Sequence, residues 1–253
     1  MKKCLLACLL VLFAATARAE DPLRLLADRD FAPYSMVIDG VPSGIDVDVF
    51  TEAARRAGLE IEIQARPLET VLERVQNGRC DGALALFRSP GRERYALFME
   101  ATPIHYSDYV LFTKVGAKFP FNSYQDLAGK VIGLAAGLDL GPEFAAARAK
   151  GDMLVKEYPD QRAILAGLLG GEIDAFAGNI DVTYYRLKAM GLTSSVVYLN
   201  RKLLTGKPSY AVLSRAAKRQ DKEEIIQALE KALDQMAKDG TYNAIARRYL
   251  LRF

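Results

Sequence analysis

The chain has 253 residues, 51% of them apolar, with a formal charge of +3, one histidine and three cysteines. That length suits one or two ordinary domains, and so small a charge argues against a nucleic-acid binder, which needs a clustered basic excess. One histidine and so few cysteines leave too few N and S ligands for a zinc or copper centre, and no cofactor is expected.

The N-terminus reads as a secretory signal peptide: Lys2 and Lys3, an apolar core from Leu5 to Ala15, then Ala17-Arg18-Ala19 as the cleavage site. Cleavage after Ala19 would start the mature chain at Glu20 and leave it exported from the cytoplasm. Leu5-Leu6-Ala7-Cys8 has the look of a lipobox, but Cys8 precedes most of the apolar core, so lipidation there is not expected. Removing Lys2, Lys3 and Arg18 cancels the net charge of +3, so the basic balance belongs to the leader. Cys80 is then the single remaining cysteine, which rules out an internal disulfide even in an oxidising compartment; it reads as a small buried apolar residue. No later apolar run is long enough for a transmembrane helix, so no stable membrane insertion is expected.

Past the leader, strands and helices alternate, which predicts an α/β fold. Leu23 to Ala27 and Leu59 to Ala65 read as strands around a helix from about Asp46 to Ala57, with Asp46 or Asp48 at its N-cap or first turn. Thr70 to Leu86, TVLERVQNGRCDGALAL, is echoed by Arg162 to Gly178, RAILAGLLGGEIDAFAG. Each copy has a helical apolar stripe, a stop glycine (Gly78, Gly171), then an aspartate (Asp81, Asp174) and an apolar run. Such a run reads as a strand buried on both faces. Two like units predict two like lobes, with a cleft between them where ligands bind. Further strands are expected at Tyr109 to Thr113, Val131 to Leu134, Val196 to Leu199 and Tyr210 to Leu213. A helix opens near Pro142, another runs from Lys222 to Lys238, and a last one ends at Tyr249.

Catalytic patterns are sparse. His105 is the one histidine, and no nucleophile elbow surrounds it. Gly137-Leu138-Asp139-Leu140-Gly141 sits where a Rossmann loop would sit but lacks its glycine spacing, although a turn of this kind can offer N–H groups to an anion. Arg92 is more pointed: it follows Ser89, a candidate N-cap, and Pro90 at the first helical position. There a guanidinium and free amides can converge on a carboxylate. A surface arginine is the plainer alternative, and it suits Arg94.

The series GIDVDVFTEAARRAG, QNGRCDGALALFRSPGRERYALFMEATP, YQDLAGKVIGLAAG, GGEIDAFAGN and KALDQMAKDGTYNAIARRYL resembles the family 3 extracellular solute-binding proteins, periplasmic receptors of polar amino acid ABC transporters. The resemblance spans the mature chain. It implies a type II periplasmic-binding fold: two lobes, a ligand cleft and a two-strand hinge at Tyr109 to Thr113 and Tyr210 to Leu213. Residues 20–112 and 210–253 would form the first lobe, and 113–209 the second.

Carried onto this chain, the family's pattern puts Arg92, in Ser89-Pro90-Gly91-Arg92, on the ligand α-carboxylate, and Phe31 against the ligand side chain. The second-lobe turn that completes carboxylate binding falls on Leu138 and Asp139, where Ser or Thr is usual. The acid that meets the α-ammonium falls on Asn179. Asn is neutral and Asp139, if it points inward, would repel a carboxylate, so an ordinary α-amino acid fits this chain less well than the family at large. The resemblance therefore implies a receptor for a small amino-acid-like or anionic metabolite, handing its cargo to an inner-membrane ABC permease. The alternative is a periplasmic enzyme on the same fold, of the cyclohexadienyl dehydratase kind. It needs a general acid, for which His105 and Asp139 are the candidates. A ligand-sensing receptor domain is the other alternative, disfavoured by the absence of a membrane segment.

Overall fold

The computed structural model describes residues 21–250. The expected signal peptide and the last three residues lie outside the described residues. The first unit is β1 (Leu23–Asp28), the hairpin β2 (Met36–Ile38) and β3 (Val41–Ser43), α1 (Ile45–Ala57), β4 (Ile61–Arg66), α2 (Leu68–Asn77) and β5 (Gly82–Phe87). One helical turn, α3 (Pro90–Glu93), and β6 (Ala96–Phe98) lead into β7 (His105–Lys114). The second unit, opened by a 3-10 turn at Tyr124–Leu127, repeats the order as β8 (Val131–Ala135), α4 (Gly141–Lys150), β9 (Leu154–Tyr158), α5 (Gln161–Gly170), β10 (Ala175–Asn179) and α6 (Ile180–Ala189). The long β11 (Val196–Ser214) returns to the first unit, where α7 (Lys222–Lys238) and α8 (Thr241–Leu250) finish the described chain.

The strands form one curled sheet in the order β4-β1-β5-β11-β7-β10-β8-β9, with β6 on β11. Its halves mirror each other: β1 pairs in parallel with β4 and β5, and β8 in parallel with β9 and β10. β5 then meets β11 antiparallel, and β10 meets β7 antiparallel. The molecule is a two-lobed type II periplasmic-binding fold, with β7 and β11 as the two strands that cross between the lobes.

The echoed phrases occupy the positions that their pattern predicts. Gly78 and Gly171 end α2 and α5 in the left-handed region, at φ 71° and 79°. A Cβ on Gly78 would also meet the Ala216 carbonyl oxygen at 2.6 Å. β5 and β10 are buried almost throughout because each half-sheet is covered on both faces. In the first lobe, Phe50 and Ala53 of α1 pack with Leu229, Leu233 and Met236 of α7, while Val71, Val75 and Cys80 pack on the opposite face. Burial raises the Cys80 thiol to about 11, with nearby Asp81 acting in the same direction. In the second lobe, Phe144 and Ala147 of α4 cover one face, and Ile164 and Leu168 of α5 the other.

Three local expectations change. The two strands expected at Val196 to Leu199 and Tyr210 to Leu213 are the ends of one 19-residue strand. Its middle runs Asn200 to Lys207, polar and irregular in register, so no period of two marks it. β7 likewise begins at His105, ahead of the apolar stretch. The helix expected after Ser89 is a single turn, and the N–H groups of Arg92 and Glu93 already donate to the Ser89 carbonyl. Arg92 therefore has little helix dipole behind it. Among the described residues no helix is long and apolar enough to cross a membrane.

Candidate functional site

The cleft is lined where the mirrored strands end. Asp28 terminates β1, and burial lifts its carboxyl to about 6, against the hydrogen bond from the Asp30 N–H and the nearby Arg186 and Arg29, with the Asp30 carboxylate adding to the rise. β5 ends at Phe87, just before the turn that carries Arg92. The Arg92 guanidinium donates from Nη1 to the Phe87 carbonyl, 2.9 Å. β10 ends at Asn179, and α6 starts there with Asp181 in its first turn. One lobe thus sets a cation at the end of this strand, and the other an anion.

Segment 30–36 and α6 hold the lobes together. Tyr34 donates its hydroxyl to Asp181 Oδ2 at 2.7 Å, Arg186 Nη2 donates to the Asp30 carbonyl at 3.0 Å, and the Tyr185 hydroxyl lies 3.4 Å from Met36 Sδ. Burial and the Asp181 carboxylate both push the Tyr34 phenol up, so it stays a donor.

The crossing strands form the floor. His105, Ser107 and Tyr109 alternate with exposed Tyr106 along β7, and Ser209 and Lys207 of β11 lie opposite His105 and Ser107. Directly opposed residues share a face, so these five point the same way. Asn179 opposes Tyr109 and joins them. Ser107 Oγ, Ser209 Oγ and Asn179 Nδ2 are buried without a hydrogen-bond partner. The Lys207 ammonium lies 4.6 Å above the Phe87 ring and donates to the Asp139 carbonyl at 3.0 Å, tying β11 to the second-lobe turn.

His105 lies deeper. Its Nδ1 is 3.0 Å from Oδ1 of fully buried Asp46, and its ring stacks on Tyr34 with centroids 4.1 Å apart and on Phe31 at 5.8 Å. Burial raises the Asp46 carboxyl and His105 opposes that shift. This ring, stacked and held by Asp46, is poorly placed to protonate a substrate.

The residues singled out in the sequence land as follows. Phe31 is half-buried and stacks on Tyr34 at 5.6 Å. Ser89 caps α3 without a side-chain bond. Leu138 packs against the second-lobe core. Asp139 is exposed, and its Oδ1 accepts from the Gly141 N–H at 2.9 Å, which turns the carboxylate toward the start of α4. Asn179 is buried, and its Oδ1 accepts from the Val182 N–H at 3.1 Å, capping α6. That bond leaves Nδ2 as the free end, a donor where the resemblance expects an acidic acceptor. Asp28, Tyr34, Tyr109, Asp181 and Lys207 were not singled out as cleft residues in the sequence. The first two flank Phe31 in DRDFAPY, and Asp181 follows Asn179 by two, so proximity was the available signal.

A separate open depression of about 550 Å3 lies between α2 and α3, lined by Gln76, Ser89, Gly91, Arg92, Arg94 and Tyr95. It includes Ser89 and Arg92 but contains no second-lobe residue, so the lobes cannot close on anything held there.

The family model for bacterial extracellular solute-binding proteins, family 3, matches residues 23–156 and 115–252. The chain belongs to this family. Among curated members, the histidine-binding periplasmic protein of Escherichia coli K12 is 26% identical over 266 residues, covering 98% of this chain and 97% of that protein. The L-cystine-binding protein TcyJ of the same strain is 25% identical over 212 residues, covering 83% of this chain and 75% of that one. A solved ancestral arginine-binding protein bound to arginine superposes with a TM-score of 0.75 at 22% identity, over 90% of this chain and 98% of that chain. For this family 3 solute-binding protein the structural likeness establishes the fold, while the ligand has to be argued from its own cleft.

Proposed function

We propose that this protein is the periplasmic substrate-binding component of an ABC transporter, exported by its N-terminal signal and cleaved after Ala19. It captures a small amino-acid-like or anionic metabolite and delivers it to an inner-membrane permease. The first lobe is residues 20–112 with 210–253, the second 113–209, and they close about β7 and β11. The observation that carries this reading is Arg92, half-buried in the turn after β5, with Lys207 near it and tied across to the second-lobe turn at Asp139. Arg92 takes the ligand carboxylate, with Ser89 beside it; Phe31 packs on the ligand, and Leu138, Asp139 and Asn179 close from the second lobe.

A thermal-shift screen of the mature protein against amino acids, organic acids and amines tests the reading. At one hundred times its dissociation constant, a ligand should stabilise the fold by about 2.7 kcal/mol. Arg92→Ala should weaken that ligand at least about tenfold, as the loss of a charge-assisted bond implies. Arg92→Lys should recover part of the loss, because a point charge lacks the planar fork. Equal affinity in wild type and Arg92→Ala would remove Arg92 from the site.

A further inference from the structure

Two cations meet at one residue in the cleft. Arg92 lies on the carbonyl of Phe87 and Lys207 on its ring. Arg92 comes from the first lobe and Lys207 from the crossing strand β11. The Lys207 side chain is only 17% exposed, yet the nearest carboxylate oxygen, Asp139 Oδ2, is 4.0 Å away, and that side chain is 67% exposed and engaged with the Gly141 N–H. Burial lowers the Lys207 ammonium and the nearby guanidinium lowers it further, while Asp139 only partly offsets them. A buried charge without a close counter-ion is costly, and a second like charge beside it adds to the cost. An anion between the two relieves both.

The surroundings are donors. Tyr109 packs edge-on against Phe87 at 6.0 Å and lies opposite Asn179, whose Nδ2 is buried and unpaired. Ser107, directly opposite Lys207, holds a buried hydroxyl without a partner. Asp28 and Asp181 remain as the groups able to meet an amine.

We propose that Arg92 and Lys207 together form a two-cation seat, so that the ligand is a small acid carrying two carboxylates, one on each cation. The proposal rests on the receptor reading above and narrows it: Arg92 supplies binding to any carboxylate, and Lys207 supplies the preference for a second one.

Matched acid and amide pairs isolate that second carboxylate. Calorimetric titration of the mature protein with glutamate and glutamine, aspartate and asparagine, and succinate and succinamate should show at least one acid bound about tenfold or more tightly than its amide. Added salt should weaken the acid more than the amide. Lys207→Met keeps the stem over Phe87 and removes the charge. It should erase the preference, losing at least about tenfold more for the acid than for the amide, which loses only the tie to the Asp139 carbonyl. Arg92→Ala should weaken both members of a pair. A wild type that prefers amides, cationic amino acids or inorganic phosphate overturns the two-cation seat, as does a Lys207→Met protein that loses acid and amide alike. If one-carboxylate ligands bind through Arg92, the receptor reading survives that outcome. If no member of the panel binds and Arg92→Ala changes nothing, both readings fall together.

Discussion

Arg24 and Asp81 in the first lobe exchange the same two hydrogen bonds as Val131 and Asp174 in the second. In each case the backbone N–H of the central strand donates to Oδ2 of the aspartate at 2.8 Å, and the aspartate N–H donates back to the same residue's carbonyl at 2.8 Å. The aspartate starts β5 in one lobe and β10 in the other, pinning it to β1 or β8. Around this shared device the lobes diverge. The Asp81 side chain is 7% exposed and that of Asp174 is 38%, and the Asp81 carbonyl also accepts from the Ser214 N–H at the end of β11. Counting from the shared anchors, Asp28 corresponds to Ala135, and Ala85 to Gly178. The backbone scaffold repeats, while the polar groups that make a site do not.

The largest disagreement is at the starts of the corresponding helices α1 and α4. Asp46 is fully buried against His105, whereas Asp139 is exposed beside Gly141. Removing one partner of a buried pair leaves the other unsatisfied, so Asp46→Ala should lower stability by about 3–5 kcal/mol. Asp46→Asn should recover part of it, since a carboxamide oxygen can accept the same bond. Asp139→Ala loses only an exposed cap, about 1 kcal/mol or less. Urea denaturation of the three variants checks this, and comparable losses at positions 46 and 139 would show that the two helix starts are alike after all.

A second contrast is electrostatic. Asp28 is held near 6 by burial, against an ordinary 3.8, and Ala135 in the other lobe has nothing to titrate. The native state keeps the Asp28 proton over a range where the unfolded chain has released it. Its contribution to stability is therefore complete below about pH 4, is lost as pH rises toward 6, and stays lost above. Asp28→Asn should remove that decline, so at pH 7 the variant should gain on wild type by up to about 3 kcal/mol relative to pH 4. Parallel stability curves of the two proteins between pH 4 and 7 would mean that Asp28 titrates normally.

The sequence made the scaffold legible because its devices are local. A stop glycine, a strand-starting aspartate and a two-faced apolar run each lie within one short phrase, and their echo exposed the second lobe. The turn that carries Arg92 was legible for the same reason, since Ser89 and Pro90 open it. The rest of the cleft depends on contacts distant in sequence. Tyr34 finds Asp181 across 147 positions, and Lys207 finds Asp139 across 68. Asn179 looked like a ligand partner by its place in a motif, but the amide orientation that frees Nδ2 follows from the start of α6. The polar middle of β11 escaped notice because it is anchored by the neighbouring strand instead of by an apolar period of its own.

The smallest contrast is also the most local. Ala85 holds φ 58° where β5 and β11 slip in register between Tyr210 and Val212, a bulge that redirects the chain toward Phe87 and Arg92. Its counterpart Gly178 sits in regular pairing with Val110, and a Cβ there would meet Thr183 Oγ1 at 2.6 Å, Phe176 at 3.2 Å and Phe112 at 3.3 Å. The two positions have the residue types that each other's backbone would favour. Gly178→Ala overfills a close-packed layer and should destabilise by about 1–3 kcal/mol. Ala85→Gly relieves a left-handed alanine, worth about 1–2 kcal/mol, but frees the unfolded chain by about 0.5–1 kcal/mol. The net effect should be a small gain, on the order of 0.5 kcal/mol. Thermal unfolding of both variants decides the matter: a clear loss of stability in Ala85→Gly would mean that the alanine methyl contributes packing exceeding its backbone strain. In that event the bulge is held in place by side-chain contact, and the first lobe aims Arg92 by packing instead of by backbone conformation.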